Sequence, residues 1–566
     1  VRRIQTIILG LAAGTSSTFA DSFTWTVDPN TSILTTTISA TLGTTISDSE
    51  SNKVSGFLGG DLALPAYAFR SIHLTTADLS YTTNPSFSLT QPFVGGVNIV
   101  GNGLGFSIPG PNNLGFPSPA PTSVGLDGSF SQSENGAEGR GTLTYTGVGL
   151  LGSSIGTGTI SLVDQSPLPM DWNGTISQTG NKLLITLPIS VDQTTVQNGI
   201  PVRVQITGSV FASATTTANG WKADVDGDWG TQSNWIAGGG VPGAAGQNTF
   251  DTAVFGNFGA NSQRTISIGS AVAPRRILVD AGTTGLYRFE GAQTISLSAN
   301  ANGAAGMSVL SGEARFNAPV TLPAASTANV ASSASLVLSN ATAASTTTLT
   351  KSGAGTLRFH TADVGVVDVA GGVAAFAGAG PTARVSSLNI GAAGSAAVSD
   401  TLVIESQSGG VAQLSAYLAR SLASGAPGGI LQPATGRLGI GTKASTGLAS
   451  VGAFPLTSSS LLLRATIAGD ANLDRVVNFD DLLLLAQSYG GAGYWFQGDF
   501  NYDGQVSFDD LLDLARQYGT SASLELPAGL SPTLAQDFAL ARSLVPEPMI
   551  AVTLPVLLHR RRRNGN

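Results

Sequence analysis

The chain has 566 residues, no cysteine, three histidines, a net charge of −8 and only 11% charged side chains. Zinc fingers, iron–sulfur clusters, thiol nucleophiles and disulfide scaffolds are therefore excluded, and charge this scarce argues against salt-bridged helical surfaces. Without the six arginines at positions 2, 3 and 560–563 the net charge falls from −8 to −14, so nucleic-acid phosphates are not an expected partner.

The start, VRRIQTIILGLAAGTSSTFADSF, orders a basic pair (Arg2, Arg3), a short apolar core (Ile7 to Gly14) and small residues around Thr18-Phe19-Ala20. That order is a secretory signal, expected over residues 1–20, and the apolar core is too short to span a bilayer. An exported chain without cysteine draws its stability from packing and bound ions rather than from disulfides.

Residues 21–217 alternate β-favouring runs such as SFTWTVD, SILTTTISATL, GTLTYTGVGL and KLLITLPISV with turn clusters. The spacing predicts a β-sandwich-like or barrel domain. The Pro- and Gly-rich stretch 101–124 is expected to be a long loop. His73 and, further on, His360 and His559 lie in unrelated contexts, with no motif for a triad or a histidine metal site.

At residue 220 the texture changes. Trp221, Trp229 and Trp235 fall within fifteen residues, and the pattern Trp229, Asn234, Trp235, Pro242, Asp251, Ala253, Phe255 resembles the opening of autotransporter-associated β-strand proteins. The resemblance implies a capped β-solenoid, with the tryptophans closing its first rung. A sugar-stacking platform is the alternative use of such aromatics. The run Asp224-Val225-Asp226-Gly227-Asp228 starts like a calcium loop, but its twelfth position is Trp235, so a solvated turn is expected. From 265 to about 460, short apolar strands break at Gly and Asn, and Leu349 to Phe359 (LTKSGAGTLRF) resembles an autotransporter passenger repeat. The carboxylates Asp363, Asp368, Asp400 and Glu405 are too sparse to suggest a glycosidase pair.

Charge returns abruptly in GDANLDRVVNFDDLLLLAQSYG (469–490) and GDFNYDGQVSFDDLLDLARQYG (498–519), which share fourteen identities. Asp470, Asn472, Asp474, Val476, Asn478 and Asp481 fall at positions 1, 3, 5, 7, 9 and 12 of one loop. Asp499, Asn501, Asp503, Gln505, Ser507 and Asp510 do so in the other. Carboxylate, amide and hydroxyl oxygens at this spacing, with a backbone carbonyl at position 7, suit a calcium ion. Position 6 is Gly504 in the second loop but Arg475 in the first, where strain and positive charge predict weaker binding. Helices are expected from Asp481 to Tyr489 and from Asp510 to Tyr518, stopped by Gly490 and Gly519. Leu482, Leu483 and Leu485, with Leu511, Leu512 and Leu514, are the expected packing row. The duplicated loop–helix unit resembles a type I dockerin. That resemblance implies calcium as the bound ion and a cohesin-like partner, with Phe479-Asp480 and Phe508-Asp509 at the partner-selecting positions; docking within the chain is the other expectation.

The end, VPEPMIAVTLPVLLHRRRRNGN, places Val545-Pro546-Glu547-Pro548, an apolar stretch and four arginines in the order that resembles the PEP-CTERM sorting tail of exported bacterial proteins. It implies transient membrane contact, with the arginines on the cytoplasmic side.

The expectation is therefore a mainly β protein. It comprises a signal peptide (1–20), a β-sandwich-like domain (21–217), a parallel β-helix or solenoid (218–460), a small α-helical dockerin-like calcium module (465–522), a linker or helix (523–544) and a sorting tail (545–566). The function expected is structural or adhesive, at the cell surface or outside a Gram-negative-type bacterium, with extracellular polysaccharide among the partners considered. The alternative is a dockerin-bearing polysaccharide hydrolase or lyase, although no residue set in the sequence supports catalysis.

Overall fold

A computed structural model describes residues 20–518, except residue 43 and the segments 64–68, 110–119, 164–167, 198–199, 223–224, 237–239, 247–248, 258–262, 378–382, 425–426 and 434–435. The expected signal peptide up to residue 19, the linker and the sorting tail, with His559 and Gly519, lie outside the described residues. The chain is mainly β, with 56% strand against 11% helix, and it contains a β-solenoid of about six turns. The chain divides into two compact units, 1–357 and 358–566. Among the described residues no helix is long and apolar enough to cross a membrane.

The first unit opens with twelve strands: β1 (Ala20–Val27), β2 (Ile33–Leu42), β3 (Thr44–Ala63), β4 (Ser71–Tyr81), β5 (Ser86–Gln91), β6 (Gly95–Ile108), β7 (Thr122–Ser123), β8 (Ser129–Val148), β9 (Thr157–Ser161), β10 (Leu168–Thr179), β11 (Lys182–Gln197) and β12 (Ile200–Thr215). All pair antiparallel in one sheet rather than in two stacked ones. Pairing passes from β1 through β3, β4, β6, β8, β10, β11 and β12 and returns to β1, so the circuit closes. A closed circuit hides edge strands that would otherwise invite pairing with another chain. Inward alternation fills it with Trp25, Leu58, Leu74, Phe130, Trp172, Ile185 and Val210, all buried.

The expected loop at 101–124 is a strand over its first part, because β6 runs to Ile108 and pairs with β4 and β8. Two of its glycines serve the sheet rather than a loop, Gly105 by close packing and Gly103 by a bulge. A Cβ on Gly105 would meet the Leu79 carbonyl oxygen at 2.3 Å, and Gly103 (φ 60°) sits where the β6–β8 register slips by a bulge.

Beyond residue 217 the pairing turns parallel. One ladder stacks Ala218–Gly220, Thr252–Phe255, Arg276–Asp280, Ala305–Ser311, Ser326–Val330 and Thr348–Ser352. A second stacks Gly227–Asp228, Gln263–Ser267, Leu286–Glu290, Glu313–Phe316 and Ser335–Leu338. A short third ladder joins Ile295–Ser296, Val320–Leu322 and Ala341–Ala343. Parallel register puts like positions above one another, so Ile266, Phe289, Phe316 and Leu338 form one buried column. The Phe289 and Phe316 rings stack at 4.3 Å.

Trp221, Trp229 and Trp235 lie inside the first coils, packed around Phe255. Their indole N–H groups donate to the carbonyls of Val225, Pro242 and Trp229. With both faces buried they close the rung and offer no sugar platform. The aspartate turn between Trp221 and Trp229 does more than meet solvent. Asp226 accepts from the Thr265 N–H, and Asp228 from the Gly230 and Gly269 N–H groups, tying the turn to the next coil.

In the second unit Ala362–Phe376 and Ala383–Val398 pair in parallel along most of their length. The strand Leu461–Thr466 then pairs antiparallel with both Thr401–Ile404 and Arg437–Thr442. A helix, Gly410–Ser424, interrupts the solenoid expected to continue to residue 460. Leu414, Tyr417, Leu418 and Ser421 recur on its buried face at helical spacing.

Lys351 shows how strictly inward positions are enforced. It is buried within its ladder, its ammonium donating to the Ser352 and Gly353 carbonyls at 2.7 and 2.8 Å. Burial pulls its pKa down to about 8. The unfolded chain, with an ordinary lysine, holds the extra proton between the folded value and about 10.4. Stability should therefore rise with pH across that window, the charged-lysine penalty being fully present below pH 8. Chemical denaturation of the wild type against Lys351→Met should show this slope in the wild type alone; parallel profiles would refute it.

Candidate metal centre

Each loop builds itself from its own aspartates. In the first, Asp470 accepts the N–H groups of Asp474 and Arg475 at 3.1 and 2.9 Å. Asp481 accepts those of Ala471, Asn472 and Asn478 at 2.8, 3.1 and 2.9 Å. In the second, Asp499 accepts from Asp503 and Gly504, both at 3.1 Å. Asp510 accepts from Phe500, Asn501 and Ser507 at 2.8, 3.3 and 3.0 Å. The middle of each loop repeats the same bonds, with Asn472 and Asn501 accepting from Asp474 and Asp503. Two stretches that differ at eight of their 22 positions thus fold into one geometry.

The backbone also enters the left-handed region at the same loop positions. Position 4 does so at Leu473 and Tyr502 (both φ 61°), and position 6 at Arg475 (φ 74°) and Gly504 (φ 85°). Glycine adopts this region freely, whereas arginine there is strained by about 1 kcal/mol. The Arg475 guanidinium is ion-paired to Asp400, which draws its charge away from the loop.

The helices are Phe479–Ser488 and Phe508–Gln517, two residues earlier at the start than the sequence reading placed them. Asn478 and Ser507, the position-9 residues, cap them through capping boxes completed by Asp481 and Asp510. Leu482, Leu485, Leu511 and Leu514 are buried as expected. Leu483, expected in the same row, is 42% exposed because it lies on the outer face of its helix.

Asp470, Asp481, Asp499 and Asp510 are all buried, and none has a basic partner among the described residues. Burial drives each carboxyl pKa upward. Asp481 is pushed to about 6 by burial and by the Asp470 charge, and Asp499 to about 7 by burial and the Asp510 charge. Asp470 and Asp510 shift upward for the same leading reason. Sunken like charges met only by neutral donors, backbone N–H groups together with the Thr466 hydroxyl on Asp470 and the Ser507 hydroxyl on Asp510, are relieved by a bound cation. The donors present, Asp470, Asn472, Asp474, the Val476 carbonyl, Asn478 and Asp481 in one loop, and Asp499, Asn501, Asp503, the Gln505 carbonyl, Ser507 and Asp510 in the other, are all oxygens, the chemistry a hard dication takes. Among the described residues no three His, Asp or Glu side chains are gathered into a ready metal cluster; the carboxylates are turned to backbone N–H groups.

The loops are not free of the rest of their unit, which no local motif foretold. The Trp495 indole donates to the Asp470 carbonyl at 2.7 Å and packs on Phe500 and Tyr502. The Tyr502 hydroxyl donates to the Leu438 carbonyl. Arg464 donates to the Leu473 carbonyl at 2.5 Å. Strand Arg437–Thr442 admits these knobs because it is bare: a Cβ on Gly439 would meet Leu473 and Trp495 at 2.5 Å, and one on Gly441 would meet Leu473 at 2.7 Å.

Three of the four solenoid carboxylates, Asp363, Asp400 and Glu405, are held in ion pairs. Arg384 binds Asp363 at 2.7 Å and Glu405 at 2.8 Å, and Asp400 holds Arg475. Asp368 lies within the strand Ala362–Phe376, His73 in β4 and His360 just after the strand Thr356–Phe359.

Gly439→Val should lift the loops from the strand. All six tryptophans are buried, so acrylamide should barely quench the wild type and should reach one tryptophan in the variant. Unchanged quenching would show that the glycines do not seat the loops.

No family model, curated protein or solved structure matches the chain.

Proposed function

We propose that the chain is an exported structural or adhesive protein of the cell surface or extracellular space, in which two calcium ions staple the C-terminal loop–helix pair. The observation that carries this reading is the set of four buried aspartates, two per loop, without basic partners. In each loop the six donors named above would hold the ion, and its charge would offset the carboxylate repulsion.

The same geometry favours docking within the chain over a free dockerin-like module waiting for a cohesin-like partner. Leu473, Trp495 and Tyr502 are spent on the glycine-bare strand. Calcium then secures a closing element of a β protein that lacks disulfides, and attachment to a partner or polysaccharide falls to other surfaces. The rival reading, a polysaccharide hydrolase or lyase, requires two available carboxylates; Asp363 and Glu405 share one guanidinium instead.

Isothermal titration of the calcium-depleted full chain tests the reading. Two calcium ions are expected, the weaker in the first loop, and at about 100-fold excess over Kd the ion adds about 2.7 kcal/mol per site to stability. Asp510→Ala should remove one site. No heat of binding and no calcium-dependent rise in melting temperature would sink the proposal. Arg475→Gly should tighten the first site by roughly fivefold, the equivalent of about 1 kcal/mol of released strain. Equal affinity in that variant would mean that the Asp400 pair already offsets the arginine.

A further inference from the structure

One end of the closed β domain is built unlike the rest of the surface. Phe93, in the three-residue turn between β5 and β6, is 98% exposed, and Leu150, in the turn after β8, is 78% exposed. The two turns are neighbours: the Leu151 N–H donates to the Val94 carbonyl at 3.0 Å, and Gly96 pairs with Val148. Val94 and Pro92 are exposed beside Phe93. Val196, also exposed, lies at the same end, because Val202 pairs with Ala40 near the β2–β3 turn. Phe93 also has φ 68°, a left-handed conformation that Gly or Asn adopts at less cost. An aromatic ring held in solvent on a strained backbone stabilises nothing within the fold.

Charge is missing from this end. Residues 33–47, 86–101, 141–163 and 193–202 contain no Asp, Glu, Lys or Arg. Charged groups begin at Asp48, which accepts the Ser88 N–H at 2.7 Å, and at the Asp192–Arg203 ion pair. These lie four to five residues behind the tips, roughly 13–16 Å at about 3.3 Å per residue. A surface that enters a lipid interface must leave water to a depth of about 5–10 Å without carrying charge along. The chemistry of the tips matches that requirement. A protein partner matches it poorly, because a few protruding side chains fall well short of the roughly 800 Å² per partner of a stable interface.

We infer that the Phe93–Val94 and Leu150 turns form an apolar tip by which the N-terminal β domain seats in the interface of an uncharged lipid bilayer. The inference is independent of the calcium loops. Phe93→Trp in the full chain provides a direct probe, since the six native tryptophans are buried. With phosphatidylcholine vesicles its emission should shift to the blue, and brominated phosphatidylcholine should quench it. Flotation with the same vesicles should fall at least tenfold for Phe93→Asn combined with Leu150→Ser. It should stay unchanged for Leu126→Ser, a 90% exposed leucine next to the start of β8, at the other end of the sheet. Position 93 unquenched, or flotation undiminished in the double variant, overturns the proposal, because any binding then comes from another part of the chain. No flotation of the wild type also overturns it. Self-association of the wild type that the double variant abolishes, without vesicle binding, would assign the tip to a second copy of the chain instead.

Discussion

Backbone hydrogen bonding from strand to in-register strand is the interaction on which the rest of this molecule depends. Charge is scarce, cysteine is absent and helices are few, so the main-chain donors and acceptors must find one another in long ladders. Antiparallel pairing settles this in the first β domain by returning to its starting strand. Parallel pairing settles it in the coils by giving each strand a neighbour from the turn before. Side chains then follow the ladder. Parallel register turns single apolar residues into columns such as Ile266–Phe289–Phe316–Leu338, and the same register sinks Lys351, whose ammonium falls back on the carbonyls of its own turn.

The loop–helix pair answers a different constraint. Each loop uses carboxylates to satisfy its own N–H groups, which holds the turn but gathers negative charge in a buried place. Neutral donors hold the geometry and leave the charge uncompensated, and from this conflict the calcium reading draws its force. The second conflict is Arg475 in a left-handed position, whose charge, though not its backbone strain, is taken up by Asp400 in the turn before Thr401–Ile404. The loops themselves sit on the strand Arg437–Thr442, where Gly439 and Gly441 let Leu473 and Trp495 approach the backbone.

Much of this was legible from residues alone where the periodicity was local. Alternation at 21–217 and short strands after 265 marked the β regions, and the duplicated aspartate spacing marked the two loops and their helices. The differences have separate physical causes. Glycines in 101–108 read as a loop because close packing between strands (Gly105) and a bulge (Gly103) use the same residue as a turn. The helix at 410–424 is masked in the sequence because, within a run of short strands, low charge and small side chains outweigh its 3.6-residue spacing. Leu483 was grouped with its neighbours, although only one face of a helix can be buried.

The sequence by itself determined the class of the chain, the loop chemistry and which residues could offer oxygen to a cation, because these depend on residue type and short spacing. Only the tertiary structure decided that the first β domain closes on itself, that Arg384 takes both Asp363 and Glu405, that the loops sit on Gly439 and Gly441, and that Phe93 and Leu150 come to the same uncharged end. Each of these joins residues far apart in the chain, and such partners are set by strand pairing and packing rather than by anything a local pattern carries.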